Sequence, residues 1–317
     1  MGQLLDKILN SKPSELARSR ARRCALSYQH TCCHQKGYKI MTDRPVTYAK
    51  VCHCVEACQS CHGRALIVDD QGQARSCTKP SPVQIVHLIN KAHIPVRYAS
   101  ATFDTFSHHA IEARHTAHNL RTAIRTFDPK HSRGMILSGS VGIGKTYLLV
   151  AAARALIERG LSVRFIDFIQ LLADIRDAYS DGQSDKSVMN ELMSVDVLLV
   201  DELGKGRNSE FEHTIIDQLI MGRYNQGKPI IATTNYILNK KRMHRIQQER
   251  DFTSMNSGQD FELLETRVGP LVYSRLKEIC DFIEVGRSKD LRELAGQDAL
   301  YKPHSQNPNH SFNRNQT

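Results

Sequence analysis

The stretch GSVGIGKTY at residues 139–147, directly after the apolar run MILSG, constrains the fold of this chain more than any other. Gly139, Gly142 and Gly144 fall within six positions and lead into Lys145 and Thr146. Glycine costs backbone entropy and has no side chain to pack, so its repetition implies that the bare backbone is needed. A strand, a glycine-rich turn and a helix opening on Lys-Thr make a phosphate-binding P-loop, G-x-x-x-x-G-K-[ST]. Along Gly139, Ser140, Val141, Gly142, Ile143 and Gly144, successive N–H groups would converge on phosphate oxygens, and the helix start would add positive potential. Lys145 would reach the β- and γ-phosphates, the Thr146 hydroxyl would ligate Mg2+, and Tyr147 closes the nucleotide-binding segment.

A P-loop calls for an acidic strand end beside it, and VDVLLVDELG supplies one in Asp201 and Glu202. Asp201 would hold Mg2+ through its water shell, and Glu202 would polarise the attacking water as a general base. A third apolar run, PIIATTNY, ends in Thr233, Thr234 and Asn235. Asn235 would hydrogen-bond both the γ-phosphate and the water oriented by Glu202.

From Met135 onward, strand-like runs alternate with helical ones. MILSG is followed by a helix from Lys145 to about Glu158, SVRFIDF by a helix through IQLLADIRDAY, and VDVLLVDE by a helix around 211–225. PIIATTN and a last helix near 269–279 precede CDFIEV at 280–285. Continuous rather than alternating apolar strands imply burial on both faces, and hence an α/β fold around a largely parallel sheet. A further helix is expected at 108–127, and another after KPSE near the N-terminus with Ser14 as its cap.

Charge is unevenly spread. Residues 1–150 hold 21 Lys/Arg against 9 Asp/Glu, whereas residues 151–317 hold 22 against 24. A basic N-terminal half points to an acidic partner, with nucleic acid the usual one. No apolar run reaches the length a membrane span needs, and no signal-type segment is legible at the N-terminus, so a cytoplasmic protein is expected.

Eight of the nine cysteines lie between residues 24 and 77. Such crowding without a secretion signal favours metal over disulfides. Cys58 and Cys61 form a C-x-x-C pair, and a hairpin-like stretch turning at DDQG leads to Cys77. Two knuckles held apart by a hairpin suit tetrahedral Zn2+. Cys54 is the preferred fourth ligand, with Cys52 or His53 next. Cys24, Cys32, Cys33 and His34 offer a weaker second set.

GSVGIGKTYL, LLVDELG, RYNQGKPIIATTNY and VYSRLKEICDFIEV, in this order and spacing, resemble the AAA+ ATPases of the bacterial helicase-loader (DnaC) and transposition-helper (IstB) family. The resemblance covers roughly residues 92–292, with IPVRYASATFDTF as its lead-in strand and loop. It implies a five-stranded parallel sheet in the order 5-1-4-3-2, ATP as the nucleotide, and assembly into a homo-oligomer on ATP binding. It also implies that Asn235 is sensor 1 and that Arg275 of YSRLKE is an arginine finger for a neighbouring subunit. Arg223 of GRYNQ is a second candidate inter-subunit contact. The partners implied are single-stranded DNA, through a region including Arg176 and Tyr179, and a replicative helicase or a transposase. The zinc pattern departs from the family's usual C-x-C ending, because Thr78 and Lys79 follow Cys77. The expected organisation is a basic helical region at 1–50, a zinc-ribbon-like module at 51–91, the AAA+ domain at 92–294 and a disordered tail at 295–317.

Overall fold

In the computed structural model the described residues are 33, 36–52, 66–68, 71–76, 82–106, 111–182, 184–238 and 262–286. The expected N-terminal helix, the basic run KKRMHR at 240–245 and the tail lie outside them. In chain order the elements are β1 (Tyr38–Met41), β2 (Tyr48–Val51), β3 (Leu66–Val68), β4 (Ala74–Ser76), α1 (Pro82–Ala92), α2 (Ile111–Thr126) and β5 (Gly134–Ser138). There follow α3 (Lys145–Glu158), β6 (Val163–Asp167), α4 (Phe168–Ser180), α5 (Lys186–Ser194), β7 (Val197–Asp201) and α6 (Glu210–Asn225). The last are β8 (Ile230–Thr234), α7 (Leu264–Val268), α8 (Pro270–Ile279) and β9 (Cys280–Glu284).

β6, β7, β8, β5 and β9 form one parallel sheet in that spatial order. Counted along the chain from β5 and read from the β9 edge, this is 5-1-4-3-2, the order that the family resemblance implies. Every residue of β5, β7 and β8 is buried. Successive side chains point to opposite faces, so each strand feeds two cores. Met135, Leu137, Phe165, Val197, Leu199 and Ile231 pack with α1, α2 and α3. Ile136, Ile166, Leu198, Val200, Ile230 and Ala232 pack with α4, α5, α6 and α8. The result is a helix–sheet–helix sandwich.

Local chemistry sets where the helices start. Asp167, at the end of β6, accepts from the N–H groups of Ile169 (2.9 Å) and Gln170 (3.1 Å) and so caps α4. Ser209 accepts from Glu212 N, and the Glu212 carboxylate reaches back to the N–H groups of Arg207 and Asn208, a capping arrangement for α6.

Three differences from the sequence reading stand out. The lead-in segment forms no strand: Pro95 has no N–H to offer a ladder, and Val96–Tyr98 close into a 3-10 turn. The antiparallel pair β1–β2 and the helix α1 had no counterpart in the expected elements. They share the core of the nucleotide-binding domain: Tyr38 and Ala49 are buried in the same cluster as Ile85, Leu88 and Ile89 of α1 and Leu149 of α3. Asn90 of α1 holds both backbone groups of Ala49, at 2.7 and 3.3 Å, as a further strand would. The division drawn at 91/92 therefore falls inside a continuously packed unit. The short antiparallel pair β3–β4, by contrast, occupies the stretch read as a hairpin around DDQG.

Candidate nucleotide site

The P-loop leaves β5 at its C-terminal end, where the parallel strands all point. A Cβ on Gly139 would lie 2.3 Å from Ile143 Cδ1 and 3.0 Å from the Val285 carbonyl, so only glycine lets the loop fold this close. Gly144, with φ 90, turns the chain through the left-handed region into α3. Ile143 is fully buried and anchors the loop, while Val141 is half exposed at its outer edge. Lys145 is buried, and its Nζ donates to the carbonyls of Gly139 and Ser140, both at 2.7 Å. Its charge is thus held across the mouth of the loop. Tyr147 faces the lead-in segment, with its hydroxyl 2.7 Å from Thr105 Oγ1 and its ring 5.5 Å from Phe106.

β7 and β8 bring the next residues alongside. Asp201 is buried, and its Oδ1 accepts from Thr146 Oγ1 at 3.1 Å and from Thr233 Oγ1 at 2.5 Å. Burial raises its pKa, and the two hydroxyl bonds pull it back down. Among the described residues, two neutral donors and no cation meet this carboxylate oxygen. The hard oxygens of Asp201 and Thr146, converging at the loop, suit a magnesium ion.

Glu202 sits at φ 56, a left-handed conformation that costs a non-glycine residue about 1–2 kcal/mol. Its N–H donates to Thr233 Oγ1 at 2.9 Å, which holds the backbone there. Thr233 therefore joins both acids of the strand end. Asn235 is exposed one residue past β8, whose Thr234 lies level with Ser138 at the entrance to the P-loop. P-loop, acidic strand end and third strand end thus lie side by side. Thr233 carried a sequence signal, as a polar residue closing a buried strand, but no role was assigned to it.

The arginines fare differently. Arg223 is fully buried, and its guanidinium donates to the carbonyls of Leu192, Val195, Asp196 and Pro229 at 2.7–3.0 Å. Burial lowers its pKa to about 10. It is a tie between α6 and the chain entering β7 and β8, and the expectation of an inter-subunit contact is corrected. Arg275 is half-buried on α8 over the Tyr224 ring (4.8 Å), with NH1 at 3.1 Å from Glu278 Oε2. α8 enters β9 at Cys280, level with Gly134, the first residue of β5. The P-loop begins after the last residue of β5, about 13 Å further along the strand. Arg275 is therefore not brought to this chain's own P-loop. A pocket of about 220 Å3 lined by Arg133, Tyr224, Lys228 and Glu278 lies at that same lower end, away from the P-loop.

Arg176 lies over Phe211 (4.8 Å) and 3.8 Å from Glu212, and Tyr179 packs edge-on to Phe211. Cys54, Cys58, Cys61 and Cys77 lie outside the described residues; Cys52 is described and buried. Among the described residues no group of three or more His, Cys, Asp or Glu is arranged to hold a metal ion, and no helix is long and apolar enough to cross a membrane.

Comparison with known proteins agrees with this geometry. The replicative helicase loader DnaC of Escherichia coli (strain K12) is 26% identical over 193 residues, 60% of this chain and 78% of that protein. The uncharacterized protein YdaV of the same strain is 31% identical over 123 residues, 38% of this chain and 49% of its own length. A crystal structure of the DnaC helicase loader superposes with a TM-score of 0.50 at 28% identity, covering 60% of this chain and 99% of that one. Residues 77–253 match the family described as IstB-like ATP binding protein. That match takes in the P-loop, the acidic strand end and the third strand end together, and the chain belongs to this family of P-loop ATPases.

Proposed function

We propose that this ATPase serves DNA replication as a helicase-loader-like remodelling factor, hydrolysing ATP to ADP and phosphate. The observation that carries the catalytic part is the shared network of Thr146, Asp201 and Thr233, which ties the P-loop to the acidic strand end. In this reading Lys145 leaves the carbonyls of Gly139 and Ser140 for the β- and γ-phosphates. Asp201 and Thr146 hold Mg2+, which when bound offsets phosphate charge. Glu202 takes the proton of the attacking water, and Asn235 orients that water. Arg275 serves the nucleotide of a neighbouring subunit, which fits its distance from its own P-loop. The loader role is supported by similarity to DnaC over 60% of the chain. The family match to IstB-like proteins supports a second reading, a helper for a transposase. Zn2+ on Cys54, Cys58, Cys61 and Cys77, and single-stranded DNA as a partner of the basic N-terminal half, belong to the same proposal.

The test of the catalytic assignment is a pair of variants. Lys145→Ala should abolish tight ATP binding, because Lys145 meets charge already present in the ground state. Glu202→Gln should bind ATP normally and stop turnover. Equal loss of affinity in both would refute the division of roles. Co-purification with a replicative helicase rather than a transposase separates the two partner readings.

A further inference from the structure

The turn after β7 is fastened more heavily than the presentation of a carboxylate requires. Besides the backbone bond to Thr233, the Glu202 side chain is itself engaged: Lys205 Nζ lies 2.5 Å from Glu202 Oε2. Lys205 N also donates to the Glu202 carbonyl at 3.0 Å, so the two residues close a single turn. Arg267 of α7 grips the same turn from behind. Its Nε donates to the Gly204 carbonyl at 2.9 Å and its NH2 to the Gly206 carbonyl at 2.5 Å. Those two carbonyls bracket Lys205. Arg267 is buried, stacked on Tyr236 (5.1 Å) and 3.5 Å from Glu262, so the grip is rigid. The bond to Glu202, with further attraction from Asp167 and Asp201, raises the Lys205 pKa and keeps the ammonium charged.

We propose that Lys205 is a positioning residue that latches Glu202 in the nucleotide-free chain, and that turnover requires the latch to open. The inference rests on Glu202 being the base. A base must offer an oxygen lone pair to water, and here one carboxylate oxygen is bound to an ammonium and drawn toward the turn. The pair is weak enough to open: the side chains are 50% (Lys205) and 30% (Glu202) exposed. An ion pair this exposed shifts an equilibrium by no more than about fivefold. Arg267 makes the position of Lys205 depend on α7, and α7 runs through Gly269 into α8, which carries Arg275. A movement of α8 therefore bears on the carbonyls that bracket the latch.

The experiment measures kcat and ATP affinity of the full chain as Lys205→Met, Lys205→Arg, Glu202→Gln and the Glu202→Gln/Lys205→Met double variant. Thermal melts check folding, which an exposed side chain should not disturb. Expected are an approximately two- to fivefold rise in kcat for Lys205→Met, unchanged ATP affinity, return to the parent rate in Lys205→Arg, and no rise in the double variant. An unchanged or slower Lys205→Met beside an inactive Glu202→Gln would overturn the latch and leave the base assignment standing. Parent-like turnover by Glu202→Gln would remove the base assignment and the latch with it.

Discussion

Replacing Thr233 with valine keeps the shape of the side chain and removes one hydroxyl that serves two acids. That hydroxyl donates to Asp201 Oδ1 at 2.5 Å and accepts from Glu202 N at 2.9 Å. A hydrogen bond to a charged group contributes about 1.5–3 kcal/mol, and a buried N–H left without a partner costs about 1–3 kcal/mol. The two losses share one atom and do not simply add, so Thr233→Val should lose about 2–4 kcal/mol. For a domain of this size that corresponds to a fall in Tm of roughly 5–10 °C. The loss should depend on pH. Burial raises the Asp201 pKa in the folded chain, so the associated stability is full below the ordinary carboxylate range and declines as pH rises through the folded value. Without the Thr233 bond that pKa rises further, and the gap between variant and parent should widen from acidic to neutral pH. Freed from its tether, the strained Glu202 backbone should relax, and kcat should fall about 10- to 100-fold with little change in ATP affinity. Calorimetry at two pH values and steady-state ATPase assays measure both effects. A parent-like Tm together with a parent-like kcat would refute the reasoning.

Arg275→Ala should bind ATP normally and turn over poorly, and mixing it with Lys145→Ala chains should restore part of the activity, since each lends what the other lacks; a mixture that recovers nothing excludes a finger acting between subunits. Metal analysis should find one zinc per chain, lost in Cys58→Ser or Cys61→Ser without loss of the ATPase; zinc-free purified protein would refute the ligand set. Binding to single-stranded DNA should weaken steeply with salt, because Lys and Arg contacts to phosphate release counterions. Lys39 and Lys50 lie side by side across β1–β2, beside Tyr48 and Arg44, so Lys39→Ala/Lys50→Ala should reduce the salt slope by about two. An unchanged slope removes the hairpin from the interface.

Much of this protein could be read from its sequence alone. β5, β7 and β8 were legible because strands buried on both faces are apolar over most of their length, and the P-loop because phosphate binding needs glycine at fixed spacing. Asp201 and Glu202 were legible because a P-loop calls for an acidic strand end beside it. These are local demands, met within a few residues. Tertiary structure decided the rest. Arg223 and Arg275 look alike in the sequence, yet one is buried among four carbonyls and the other lies half-exposed over a ring. Thr233 and Arg267 acquire their contacts at the turn after β7 only once β7, β8 and α7 are packed together. A guanidinium or a hydroxyl gains its role from the partners that distant segments bring to it, and no spacing along the chain encodes those partners.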